Sequence, residues 1–175
     1  MSIQDVILDA AGEHRKMLFP VIPKAAGSGP GRALFVYDKL WEFLQSTEGD
    51  EAWERRVGEL LADLELFASG AEIHPKYLFL LYPASKAVWE IRSVGSDPSI
   101  RILGLFAARD VFIATNFALR EDLEGWQSRG WKDAKRLALA RWRHVFHQYQ
   151  PRKGSNIHQH VSGAIDGKYF KTPGP

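Results

Sequence analysis

The chain contains no cysteine, and that absence removes disulfides, thiol catalysis and cysteine-ligated zinc together. It has no apolar run near the roughly 20 residues that a membrane-crossing helix needs. Its N-terminus, Ser2-Ile3-Gln4-Asp5, lacks the basic start of a secretory signal. The glycine-rich stretch Gly27-Ser28-Gly29-Pro30-Gly31 lacks the Gly-Lys-Ser/Thr ending of a phosphate loop and has no strand before it. No metal cluster is visible either. His158 and His160 form a lone His-x-His, which reads as a weak adventitious metal site or as nothing. The expectation is a cytoplasmic protein with no metal, no cofactor and no membrane association.

What is present is globular in composition. Over 175 residues, 45% hydrophobic and 25% charged content suits one well-buried domain with extensions. The net charge is only +2, but it is polarised. Between Thr47 and Glu72, the acids Glu48, Asp50, Glu51, Glu54, Glu59, Asp63, Glu65 and Glu72 face only Arg55 and Arg56. Arg129, Lys132, Lys135, Arg136, Arg141, Arg143, Arg152 and Lys153 face only Asp133 near the end. Opposite poles on a small domain steer a polyanion to one side; two solvated helix faces are the plainer reading.

Residues 2–18 have helical spacing (Ile3, Ile7, Ala10, His14, Met17) behind a capping pair, Ser2 and Asp5. Prolines and glycines then make residues up to 31 a linker or arm. Ala33-Leu34-Phe35-Val36-Tyr37 suits a strand, and Asp38 caps a helix with Leu40, Trp41 and Leu44 on one face. Asp50 caps a second helix to about Ala68, its stripe being Trp53, Val57, Leu60, Leu61, Leu64 and Phe67. Residues 71–87 carry no clear period. Three strands follow, Val88-Trp89-Glu90-Ile91-Arg92, Ile100-Arg101-Ile102-Leu103 and Val111 to Phe117, with short turns that imply an antiparallel meander. A polar loop leads to a basic helix over 131–149, with Lys132, Arg136, Arg143 and His147 opposite its apolar stripe. From Pro151 the pattern disappears, and a flexible tail is expected.

The expected fold is α+β: a small antiparallel sheet with a helical hairpin on one face and a C-terminal basic helix. The expected divisions are an N-terminal helix and arm (1–31), the domain (32–150) and the tail (151–175). Arginines on the strands beside a cationic helix suit a protein that handles RNA phosphates, because the guanidinium fork matches phosphate oxygens and stays charged.

In its order of motifs, residues 32–147 resemble the RelE/HigB-like toxin superfamily, in particular its phage-derived HigB-like branch. The points of likeness are a strand, a helical hairpin, Val88-Trp89-Glu90-Ile91-Arg92 where that branch reads roughly "LWELR", and Ile100-Arg101-Ile102-Leu103 where it reads "YRI". Asn116-Phe117 and the helix from Lys132 to Arg143 complete the series. The branch usually has a lysine pair after that phenylalanine, whereas Ala118-Leu119-Arg120 follows here.

The resemblance implies the toxin of a type II toxin–antitoxin pair, a ribosome-dependent endoribonuclease that cleaves messenger RNA without a metal and inhibits translation. The 2′-hydroxyl attacks the adjacent phosphate, so the site needs a proton acceptor, a proton donor and cations for the phosphorane. The resemblance puts Arg101 at the scissile phosphate; an ion pair with Glu90 is its structural alternative. Arg92 and Glu90 share a strand face and either position RNA or pair with each other. Arg120 stands in for the lysine pair or is simply solvated. His147 is a candidate acid or base near neutral pH, or a surface residue. Lys132, Arg136 and Arg143 would contact ribosomal RNA, and a helix-turn-helix antitoxin would cover the surface. The N-terminal arm serves as a cover or as the strap of a homodimer. The rival expectation is a non-catalytic RNA- or protein-binding protein that keeps the same fold.

Overall fold

In the computed structural model, residues 1–25, 31–95 and 97–173 are described; most of the 27–31 glycine stretch lies outside them. The described chain runs α1 (Ile3–Ala11), β1 (Leu18–Pro20), β2 (Ala33–Tyr37), α2 (Asp38–Gln45), α3 (Glu51–Ala68), β3 (Leu78–Leu80), β4 (Trp89–Arg92), β5 (Ile100–Ala108), β6 (Val111–Leu119) and α4 (Arg129–Phe146). It is α+β, with four helices and a six-stranded mixed sheet among the described residues.

Helices α1 and α3 start at the expected capping residues, whereas Asp38, expected to cap α2, is its first residue and Tyr37 holds the cap position with no side-chain hydrogen bond. The Ser2 hydroxyl accepts from the Asp5 amide, and the Asp5 carboxylate accepts from the Ser2 amide. Asp50 accepts from the Trp53 amide at 2.9 Å, and the apolar stripe of α3 buries Val57, Leu60, Leu64 and Phe67. The first helix is shorter than the 2–18 expected. It ends at Ala11, the chain turns through Lys16 at φ 47°, and Leu18–Pro20 become a strand paired with β2. The helical period continues past Gly12, but edge pairing of Leu18 with Tyr37 overrides it.

The sheet order is β1-β2-β6-β5-β4-β3. The expected meander of β4, β5 and β6 is antiparallel, and β3 adds to its edge from the stretch that had no clear period. The sheet as a whole is not the small antiparallel one expected, because β2 runs parallel to β6, Ala33 opposite Val111 through Val36 opposite Ala114. A parallel pair requires a long crossover, which here includes α2, α3 and three strands.

Both sheet faces are covered, whereas the expected hairpin covers one. Helices α2 and α3 pack on one face around Leu60, Leu64, Phe67, Trp89, Ile102 and Phe112. On the other face α1 and α4 enclose Ile7, Leu103, Leu105, Ile113, Trp142 and Phe146. Burial on both sides explains why β5 and β6 read as nearly continuous apolar runs. Two contacts seat α4: Arg141 Nη1 donates to the Thr115 carbonyl at 2.6 Å, and Asn116 Nδ2 donates to the Ala134 carbonyl at 3.2 Å.

The tail expected to be flexible is folded across the sheet through residue 173. Ile157, Val161 and Tyr169 are buried in the α3-side core. Single parallel bridges join Ile73 to Ala164 and Leu80 to Phe170. The Tyr169 hydroxyl lies within hydrogen-bonding distance of the Ile73 and Ile165 carbonyls, at 2.9 and 2.8 Å. Each apolar residue fills a separate gap, so no period marks them in the sequence. No helix among the described residues is long and apolar enough to cross a membrane.

Candidate nucleic-acid interface

Strand alternation sorts the charged residues of β4 and β5. Trp89 and Ile91 enter the α3-side core, so Glu90 and Arg92 project to the α4 side. In the ladder Glu90 faces Leu103 and Arg92 faces Arg101. Glu90 is 2% exposed, and Arg92 reaches its Oε1 through Nε at 2.6 Å and Nη2 at 2.5 Å. Arg101 Nη1 stands 3.9 Å from the other oxygen, Oε2. The structure therefore brings Glu90, Arg92 and Arg101 together.

Their accessibility differs. Burial pushes the Arg101 guanidinium below its ordinary value; Glu90 opposes this, and Arg92 and Arg120 add to it. Nε and Nη1 of Arg101 and Oε2 of Glu90 are sealed without a hydrogen-bond partner. Arg92 is freer and lies over the Phe79 ring, 4.5 Å from its centroid. Of the three, Arg92 and Glu90 line an open cleft and Arg101 does not, and the Glu90 carboxylate lies against the Arg92 guanidinium there.

That cleft, about 130 Å³, lies between β3, β4 and the start of α4 and is lined by Phe79, Arg92, Trp126, Trp131, Lys135 and Lys171 among others. Lys171 Nζ sits 4.8 Å above the Trp126 ring, and Tyr82 lies 6.1 Å from it at a tilt. Trp126 and Tyr82 are 47% and 37% exposed and both line the cleft. Lys135 Nζ donates to the Tyr82 carbonyl and approaches Gln127 Oε1 at 3.4 Å. Burial lowers the Lys135 ammonium below its ordinary value, and Lys132 adds to the effect.

The cleft continues along α4. A second hollow of about 480 Å³ shares Tyr82, Gln127 and Lys135 with the first and adds Lys86, Lys132, Arg136 and Arg143. A third of about 160 Å³ shares Lys86 and Arg143 and adds His147, Tyr149 and Lys153. No carboxylate lines the second or third. The result is one cationic groove between α4 and the 82–86 segment, with exposed aromatic rings at one end. Arg136 keeps a neighbouring acid, Asp133, at 3.1 Å.

Lys132, Arg136 and Arg143 thus line one surface, as their helical spacing predicts. His147 does not join the strand cluster. It caps α4 at the far end, twelve residues beyond Lys135, which is about 18 Å along a helix axis. Arg120 sits in the 3-10 turn after β6, donates to the Glu124 carbonyl at 2.9 Å and lines none of the three hollows. Among the described residues no group of three or more histidine, aspartate or glutamate side chains is placed to hold a metal ion.

Sequence reasoning missed Lys86, Lys135, Lys171, Tyr82 and Trp126. Lys135 was detectable, being three residues from Lys132 on the same helix. The others reach the groove from loops and the tail, and their placement is purely tertiary.

No family model matches the chain, and no curated protein or solved structure matches it.

Proposed function

We propose that this protein binds single-stranded RNA along the α4 groove and acts, as its resemblance to RelE/HigB-like toxins implies, as a ribosome-dependent endoribonuclease of a toxin–antitoxin pair. The observation that carries the reading is the groove itself: an unbroken row of Lys86, Lys132, Lys135, Arg136 and Arg143 ending at exposed Trp126 and Tyr82. Cations track a phosphate backbone and aromatic faces stack on unpaired bases, the combination that single-stranded nucleic acids require. In this reading Arg92 meets the phosphate undergoing attack, and Glu90 and Arg101 hold it in place. The ribosome and messenger RNA are the partners, and a helix-turn-helix antitoxin masks the groove.

The test is to map messenger RNA 5′ ends in cells shortly after induction, with Arg92→Ala and Arg101→Ala as controls. New ends within translated frames, lost in Arg92→Ala, support the nuclease. An unchanged map with folded protein present removes it.

A second reading, RNA binding without cleavage, is favoured by the sealing of Glu90 and Arg101 and by the separation of His147 from them. It predicts salt-sensitive binding to RNA that remains intact. RNA left unbound at low salt would remove both readings.

A further inference from the structure

The C-terminal tail passes from one side of the sheet to the other at the β3 edge. Tyr169 is buried in the α3-side core, its hydroxyl against the Ile73 and Ile165 carbonyls. The Leu80 amide donates to the Tyr169 carbonyl at 2.7 Å, and Phe170 forms a parallel bridge with Leu80. The anchor ends there. Lys171, the next residue, is exposed and enters the α4-side cleft that Phe79, Arg92, Trp126 and Lys135 also line.

There its ammonium lies over a face of the Trp126 ring, 4.8 Å from the centroid. Tyr82 meets the same ring at 50° and is not stacked on it. The cleft's one carboxylate, Glu90, is held by Arg92 at 2.5 Å, so the cleft gives Lys171 no free acid to pair with. Arg92 and Lys135 repel it instead, as like charges around one small hollow. A cation over a half-exposed ring is a weak contact, weaker than a nucleobase stacked on the same face. Lys171 thus combines a firm anchor one residue behind it with a contact that a base can outcompete.

We propose that Lys171 is an autoinhibitory strap: in the free protein it covers a stacking face of Trp126, and an unpaired RNA base displaces it, a step that rests on the RNA-binding part of the proposed function and not on cleavage. The Tyr169–Phe170 anchor stays docked, so the strap opens by moving one side chain. The cations along α4 remain open to phosphates while the aromatic end is shut. A duplex presents phosphates but keeps its bases stacked inside, so it meets the cations without displacing Lys171. The strap therefore makes the groove select single strands.

The experiment compares the full native chain with Lys171→Met, which keeps most of the side-chain stem and removes the charge. Labelled with nitrogen-15 and free of RNA, the variant should show a displaced Trp126 indole N–H resonance, assigned by its loss in Trp126→Phe. Oligouridylate should bind the variant about 2–5-fold more tightly with the salt slope kept, because the cation–π contact no longer has to break. The same strand paired with oligoadenylate should bind both proteins equally. Equal single-strand affinity overturns the strap. Weaker binding with a slope lower by about 0.7 makes Lys171 a phosphate ligand and overturns it as well. An unmoved indole resonance overturns it whatever the RNA does. A displaced resonance with no RNA bound by either protein supports the closed cleft and removes the RNA reading instead.

Discussion

Arg92 grips one oxygen of Glu90 with two nitrogens, at 2.5 and 2.6 Å, while Arg101, directly across the ladder, approaches the other oxygen only to 3.9 Å. A single buried acid thus offsets two cations. Replacing Glu90 by Gln leaves both guanidinium groups facing a neutral amide and should lower stability by about 3 kcal/mol. Urea denaturation checks this. Adding Arg101→Met to Glu90→Gln should restore part of the loss, and an unchanged midpoint in the single variant would show that the acid does not support the cluster.

The groove makes a prediction about salt. Oligouridylate binding should weaken linearly in log–log form with potassium chloride, and Lys132→Ala/Arg136→Ala/Arg143→Ala should reduce the slope by about 2, at about 0.7 per phosphate contact on a single strand. Fluorescence polarisation with labelled oligouridylate measures it. An unaltered slope would place RNA elsewhere on the molecule.

Trp126 should act differently from the lysines. Trp126→Ala removes a stacking face but no charge, so it should weaken oligouridylate binding by about 1–3 kcal/mol with the salt slope kept. The same polarisation series separates the two effects. A changed slope with little loss at low salt would contradict stacking.

His160 makes stability depend on pH. It is fully buried beside the rings of Trp89 and Phe106, with Nε2 2.9 Å from the Gly154 carbonyl and Nδ1 without a partner. Burial pushes it below 6.5, opposed by the Gly154 bond and helped by Arg152. The unfolded chain therefore takes the proton first. Stability is complete above about pH 6.5 and falls as pH drops through that value toward the folded-state pKa. Asp63, raised above 3.8, acts in the opposite direction and only in the carboxylate range. Urea midpoints at about pH 7.5 and about pH 5.5 should differ for the native chain and converge for His160→Gln.

Gly104 marks the bulge where β5 shifts register against β6. A Cβ there would stand 2.3 Å from the Ile113 carbonyl oxygen and 2.6 Å from the Phe112 ring. Gly104→Ala should cost at least about 1–3 kcal/mol, the range of overpacked cores, because a strand carbonyl cannot swing away. Thermal unfolding reads it, and a neutral result would mean that the bulge relaxes freely.

The elements that could be read from the chain are those whose cause is local. Helix α3 begins beside Asp50 and ends at Ala68 as its cap and stripe predict, and the tight turn at Asp110 separates β5 from β6 as expected. Strand β5 extends past Leu103 because pairing with β6 carries Gly104 and Ala108, which have no strand signature of their own. The parallel β2–β6 ladder, the docking of Tyr169 and the second covered face depend on partners far away in sequence. The site divides in the same way. Glu90 and Arg92 were legible from alternation, Arg101 only through the resemblance, and Lys132, Arg136 and Arg143 from helical spacing. Trp126 and Lys171 come together only in the folded chain.

The parallel ladder also bears on how the chain must be made. Residues 33–36 find their partners in residues 111–114, so synthesis runs for about 4–15 s at about 5–20 residues per second between the two. For the part of that interval after Ala68, α2 and α3 have been made while strands of the sheet they pack on are still untranslated. The apolar side of these helices therefore waits for Val111–Ala114 before the ladder can close, and a pause in translation before Val111 would prolong its exposure.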